Sequence, residues 1–198
     1  MDIIDRLSEI FKEFPGIGER QARRFVYFLM SRPGNYAENL SQQILELKKE
    51  IKQCEDCFQY FATEVALKTC VACRDPNADA SVLMVLEKDS DLHSVRSSGV
   101  YGGKYFILGG LVPIVEKNTK KHVRIEELKK RLKRNGKLKE IILAFSMNRE
   151  GENTDQYVRS ELKNLDIKIS SLGRGLSTGT ELEYSDNDTL KNALKNRQ

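Results

Sequence analysis

Ser81-Val82-Leu83-Met84-Val85-Leu86-Glu87 is the stretch on which the fold turns. Its unbroken apolar run, with no polar alternation, describes a strand buried on both faces, as in a parallel sheet covered by helices. The texture repeats downstream. A helix-like segment follows over 89–97, then Tyr105-Phe106-Ile107-Leu108 reads as a second strand closed by Gly109-Gly110. Arg124–Asn135 reads as a basic helix and Ile141–Phe145 as another buried strand. Residues 153–165 follow as a helix with Tyr157, Leu162 and Leu165 apolar, and Ile167–Ile169 as a further strand. Strands alternating with helices predict an open, mostly parallel α/β sheet. Gly173–Tyr184 looks irregular, and a short helix over 186–197 has Asp186 as its cap.

Upstream of this sheet the four cysteines of the chain form two pairs, Cys54-Glu55-Asp56-Cys57 and Cys70-Val71-Ala72-Cys73. Each Cys-x-x-Cys turn aims two thiolates at one point, and two such turns complete a sulfur tetrahedron around zinc. Four protein ligands leave no open position, so the zinc is expected to be structural. Two disulfides are the competing use. Nothing at the N-terminus resembles a secretion signal, which argues for a reducing compartment and against them. Phe58, Tyr60 and Phe61 are candidates for a small hydrophobic plug.

The first fifty residues are helical in pattern. Ile3, Ile4, Leu7, Ile10 and Phe11 lie at helical spacing before Phe14-Pro15-Gly16-Ile17-Gly18, where proline and two glycines make a turn. Ala22, Phe25, Val26 and Leu29 follow as the inward face of a second helix, with Arg20, Arg23 and Arg24 around its start. A helix-hairpin-helix has this form, with glycines that admit a phosphate to the backbone and a helix N-terminus aimed at it. Spacing alone divides evenly between that motif and an ordinary helical corner, and the arginines favour DNA. A third helix over about 36–53 carries Leu40, Ile44, Leu47 and Ile51 at helical spacing. Its Lys48, Lys49 and Lys52 read as a solvated face.

The expected organisation is a helical hairpin region over 1–53, a four-cysteine element over 54–77, an α/β domain over 78–172 and a C-terminal segment over 173–198. A net charge of +4, from 33 basic and 29 acidic residues, permits nucleic acid as a partner without demanding it. Tryptophan is absent and aromatics are few, which argues against a large base-stacking platform. No apolar run approaches a membrane-spanning length, so the expected location is the cytoplasm.

Chemistry in an open α/β sheet gathers at the carboxyl ends of its strands. Glu87 ends the first strand, and Glu150-Gly151-Glu152 follows the strand ending at Phe145. Three such carboxylates can hold magnesium for phosphodiester chemistry. They serve more often as solvated groups or helix caps, and spacing alone favours that use. His93 and His122 stand near no nucleophile pattern, and no Walker A string occurs. Tyr101-Gly102-Gly103-Lys104 and Gly109-Gly110 read as turns before they read as phosphate contacts.

Assembled in order, these residues resemble the bacterial RecR family of recombination mediators over the whole chain. The likeness is carried by Phe14–Gly18, by the four cysteines and by a Toprim domain. That domain matches at Val85–Glu87, Ser98–Tyr105, Leu108–Gly110, Glu140–Ala144, Glu150–Thr154, Arg174–Leu176 and Leu182–Tyr184. The resemblance implies a non-enzymatic protein that forms dimers and ring-like tetramers and binds RecO and RecF. Such a protein helps load recombinase on single-stranded DNA. It further implies single- and double-stranded DNA contacts at Gly16, Gly18, Arg20, Arg23 and Arg24, and partner or DNA contacts at Glu87, Glu150 and Glu152. Catalytic Toprim proteins carry Asp-x-Asp where this chain has Glu150-Gly151-Glu152, which weakens the alternative of a magnesium-dependent enzyme that cuts or joins DNA. A scaffold that gains DNA affinity only with RecO is a third expectation. The chain departs from the family at Phe106, at Val112-Pro113-Ile114 with the lysine-rich stretch Lys117–Lys121, and at Ser177.

Overall fold

The computed structural model describes residues 1–63, 65–115 and 123–197; Lys117–Lys121 and His122 lie outside them. Two compact units emerge. One comprises Met1–Ile51 with the segment from Ala62, and the other comprises Lys52–Phe61 with the chain from Val65 onward.

In the first unit, α1 (Ile3–Lys12) begins at Asp2, whose carboxylate accepts from the Asp5 amide at 2.8 Å. Helix α2 (Glu19–Met30) returns against it. Each helix buries a small residue, Ser8 in α1 and Ala22 in α2, and Phe11 meets Phe25 edge-on at 5.6 Å. Arg23 adds an ion pair to Asp5 at 3.3 Å. The inward face of α1 is therefore Ile4, Leu7, Ser8 and Phe11, while Ile3 and Ile10 of the expected apolar set are exposed. Helix α3 (Gly34–Glu50) starts two residues earlier than its periodicity suggests and stops earlier, because Ile51–Gln53 is extended as strand β1. Its Leu40, Ile44 and Leu47 are exposed in the single chain.

Strands β1 and β2 (Tyr60–Ala62) make a two-stranded ribbon, and in the second unit α4 (Val71–Arg74) follows the third cysteine. The main sheet runs β4-β3-β5-β6, with β3 (Asp79–Leu86), β4 (Gly103–Ile107), β5 (Glu140–Ala144) and β6 (Lys168–Ser171). All three pairings are parallel. Helices α5 (Asp89–Ser98), α6 (Ile125–Arg134) and α7 (Arg149–Leu162) connect the strands, and α8 (Asn187–Lys195) lies near the C-terminus.

Strand alternation explains why β3 has no polar face. Leu83 and Val85 join Phe106, Ile141 and Leu143 under α6 and α7, which contribute Ile125, Leu128, Leu132, Val158 and Leu162. Met84 and Leu86 point the other way and join Tyr105, Ile107 and Leu92 of α5. Burial on both sides requires the continuous apolar run from which the sheet was expected.

Candidate functional site

The four cysteines converge. Their sulfurs all lie within 4.8 Å of one another, with Cys54 to Cys73 at 3.8 Å and Cys57 to Cys70 at 3.6 Å. Zinc–sulfur bonds of about 2.3 Å put the corners of a tetrahedron about 3.8 Å apart, so the cluster has the dimensions of a four-sulfur metal site. Phe58 makes the first turn by adopting φ +63°, and Cys70 forms the second as the N-cap of α4. The Cys70 amide also donates to the Cys54 sulfur at 3.3 Å, a bond that favours thiolate. Crowding drives the thiols apart in acidity. The Cys54 thiol is pushed far down, first by its hydrogen bond with Cys57, and Cys57 is pushed far up by the same bond. Four sulfurs this close, three of them buried, cannot all be thiolates without a cation to balance their charge.

This element is built onto the sheet. The Cys57 carbonyl accepts from the Ile107 amide at 2.8 Å, and the Phe58 ring stands edge-on to Phe106 at 5.4 Å. Arg131 of α6 pairs with the Asp56 carboxylate and donates to its carbonyl, both at 3.1 Å. The Lys104 ammonium donates to the carbonyls of Ala72, Cys73 and Asp75, at 3.2, 3.2 and 2.7 Å. Lys104 is thus engaged on the cysteine element. Of the expected plug, Phe58 reaches the core, Phe61 packs on the cysteines and Tyr60 is exposed.

At the hairpin, Gly16 takes φ +76°, a conformation costly to residues with a Cβ. Gly18 is different. Its φ of −87° suits any residue, and a Cβ there would meet nothing within 4 Å. It caps α2 without a side chain, which leaves the first-turn amides of Glu19, Arg20 and Gln21 open to an external acceptor. Arg20 is exposed and, among the described residues, has no ion-pair partner. Arg24 is exposed with one long hydrogen bond to Gln21 at 3.4 Å, and Arg23 is held between Asp5 and Glu19.

At the sheet, β3 connects through α5 to one neighbour, and β5 connects through α7 in the other direction, so their carboxyl ends form a switch point. Glu87 sits there, accepting from the Ser146 hydroxyl at 2.7 Å with the Lys88 ammonium at 3.6 Å. Glu150 and Glu152 lie in the first turn of α7, where the helix dipole favours negative charge, and Glu152 pairs with Arg174 at 2.9 Å. Among the described residues, the four cysteines are the one group of three or more His, Cys, Asp or Glu whose ligand atoms are gathered as for a metal, and the three glutamates are outside it.

The same motif does something its pattern does not announce. A Cβ on Gly151 would lie 1.8 Å from the Ser146 carbonyl oxygen, so glycine lets α7 close on the end of β5. Thr154, fully buried, accepts from the Val112 amide at 2.8 Å, and the Asn153 side chain donates to the Val112 carbonyl at 3.0 Å. The loop after Gly109-Gly110 is therefore latched from α7. Gly109 itself, at φ +98°, leaves room for the Arg124 guanidinium, which donates to the Ile107 carbonyl at 3.1 Å.

A helical hairpin, a four-cysteine cluster and a parallel sheet with acidic strand ends define a Toprim protein with an attached helix-hairpin-helix. Comparison with known families agrees piece by piece: residues 4–48 match the RecR helix-hairpin-helix, 81–173 the Toprim domain and 175–198 the RecR C-terminal region. The protein called Recombination protein RecR in Lactobacillus acidophilus is 34% identical over 194 residues, covering 98% of this chain and 96% of the relative. Those of Dehalococcoides mccartyi and Syntrophobacter fumaroxidans are 36% and 35% identical, covering 98% and 100% of this chain and 93% and 94% of theirs. The chain belongs to the RecR family of recombination proteins.

Proposed function

We propose that this protein is a recombination mediator, not an enzyme, that binds DNA without sequence preference through its helical hairpin. The observation that carries the reading is Gly18. Its backbone angles and surroundings would admit a side chain, and the lack of one keeps the open amides of α2 accessible to an approaching phosphate. Gly16, Arg20 and Arg24 flank that approach, and Arg23 orients the hairpin through Asp5. Contacts of this kind go to the phosphate backbone of single- or double-stranded DNA and read no bases. The metal held by Cys54, Cys57, Cys70 and Cys73 is zinc in a structural role. The Toprim edge at Glu87, Glu150 and Glu152 is a contact surface for RecO or RecF, with Glu152 already turned to Arg174. Self-assembly into a dimer or ring-like tetramer is supported by the uncovered apolar stripe Leu40, Ile44 and Leu47. No helix among the described residues is long and apolar enough to cross a membrane, in keeping with work in the cytoplasm. The division into regions 1–53, 54–77, 78–172 and 173–198 assigns DNA, metal, partner and tail roles to successive segments.

The test is a paired assay of zinc-loaded protein on labelled single- and double-stranded DNA, with and without magnesium and RecO. Retention of intact DNA, weakened by Arg20→Glu and by salt, is the expected result. Binding indifferent to salt overturns the reading. Strand scission that needs magnesium and is lost in Glu87→Gln establishes the enzyme instead.

A further inference from the structure

The segment from Lys129 to Lys139 carries seven cations and no anion, whereas the whole chain has a net charge of only +4. The remainder of the molecule is therefore net acidic, and the positive charge is local. Three of the seven have internal tasks. Lys129 pairs with Glu161, Arg131 with Asp56, and Lys139 faces Asp79, whose carboxyl is held low first by Ser81 and also by that lysine. Lys130, Lys133, Arg134 and Lys137 are exposed and, among the described residues, have no ion-pair partner. Glu127 lies three positions before Lys130 and lines one hollow with Glu55, Asp56, Lys130 and Arg134. Glu55 pairs with Lys68 and Asp56 with Arg131, and Lys133 and Lys137 lie outside that hollow. Helix-dipole compensation accounts for cations in the last turn, Lys133 and Arg134, but not for Lys130 before it or Lys137 beyond the helix.

The platform is rigid. Leu128 and Leu132 anchor α6 in the core, the Asn135 side chain donates to the Ala80 carbonyl at 2.9 Å, and the Lys139 amide donates to the Ser81 carbonyl at 2.8 Å. Lys130 and Arg134 lie one helical turn apart, about 6 Å along the axis, close to two nucleotide steps of about 3.4 Å each. No large apolar side chain between residues 123 and 139 is exposed, so the surface offers charge without a stacking face. Single strands are held by both, duplexes by charge alone.

We propose that Lys130, Lys133, Arg134 and Lys137 form a second contact for the phosphate backbone of duplex DNA, on the sheet-bearing unit and separate from the hairpin. The proposal shares with the functional reading only that DNA is a ligand. The experiment measures duplex affinity against salt for full-length, zinc-loaded protein and for the variant Lys130→Gln, Lys133→Gln, Arg134→Gln, Lys137→Gln. Arg20→Glu and a charge-keeping Lys130→Arg, Lys133→Arg, Lys137→Arg variant run beside it, and each unfolding midpoint is recorded. Each lost phosphate contact lowers the slope of log affinity against log salt by about 0.9. The four-glutamine variant should therefore show a slope shallower by about 3 to 4, with the arginine variant unchanged. An unchanged slope overturns the proposal; if Arg20→Glu still weakens binding, the hairpin reading survives alone. A slope lost in the glutamine variant but kept in Arg20→Glu leaves this contact standing and sinks the hairpin. Loss of binding to a polyglutamate peptide with duplex binding intact makes the occupant an acidic protein segment and also overturns the proposal.

Discussion

Thr154→Val tests the latch between α7 and the loop after β4. Valine keeps the shape of threonine and removes its hydroxyl, which donates to the Glu150 carbonyl at 2.7 Å and accepts from the Val112 amide at 2.8 Å. Both residues at the second contact are buried, Thr154 at 0% and Val112 at 2% exposure, so water does not replace the lost acceptor. An orphaned buried donor costs about 1–3 kcal/mol. With a urea dependence of about 1–3 kcal/mol per molar, the unfolding midpoint should fall by roughly 1 M. Thr154→Ser is the control, since it keeps the hydroxyl and loses one methyl, worth about 0.8 kcal/mol. Urea unfolding gives the magnitude and amide exchange locates it: the Val112 amide should lose protection in the valine variant and keep it in the serine variant. A valine variant as stable as the parent, with Val112 still protected, refutes the reasoning.

Other outcomes follow from the same geometry. Gly151→Ala forces a methyl against the Ser146 carbonyl and should destabilise by about 3 kcal/mol or more, read by thermal unfolding; a loss under about 0.5 kcal/mol contradicts the contact. Leu128→Ala empties a fully buried site under the sheet and should cost about 2–5 kcal/mol in the same assay. Cys57→Ser should abolish retention of one metal per chain by elemental analysis. In the parent, retention should fall as pH falls, because protons compete for the thiolates; acid-insensitive retention argues against a thiolate site. Glu140 is held below the ordinary carboxylate range, first by the Ser170 hydroxyl and then by Lys168. A lowered folded value means its stabilisation is present above the ordinary range and lost as pH falls through the folded one. Ser170→Ala should raise the Glu140 midpoint in a carboxyl NMR titration, and an unmoved midpoint rejects the assignment.

Much of this architecture is written locally. The run from Val82 to Leu86 specifies a two-sided buried strand because each successive side chain faces the opposite layer, and every layer here is apolar. Two Cys-x-x-Cys turns bring four sulfurs to one point because each turn aims its own pair, which makes a cluster able to hold a metal. The hairpin is equally legible, since Pro15 and Gly16 constrain the backbone within the turn itself. Periodicity failed where burial depends on a distant partner. Ile3 and Ile10 fit a helical stripe yet remain exposed, and the interior of α1 includes Ser8, whose hydroxyl is satisfied by the Ile4 carbonyl at 2.7 Å.

Residue type and short spacing were enough for the order of the elements, the two-sided burial of the sheet and the gathering of four cysteines that can hold a metal. What the polar residues do emerges from long-range packing. Lys104, in a stretch read as a turn before a phosphate contact, holds three carbonyls of the cysteine element. Arg131 looked like one cation among many and clamps Asp56; Asn153 and Thr154 looked like the tail of an acidic motif and latch Val112. Each of these bonds joins residues 29 to 75 positions apart. A side chain's hydrogen-bonding capacity is fixed by its chemistry, but its partner is fixed by where the fold brings the chain back.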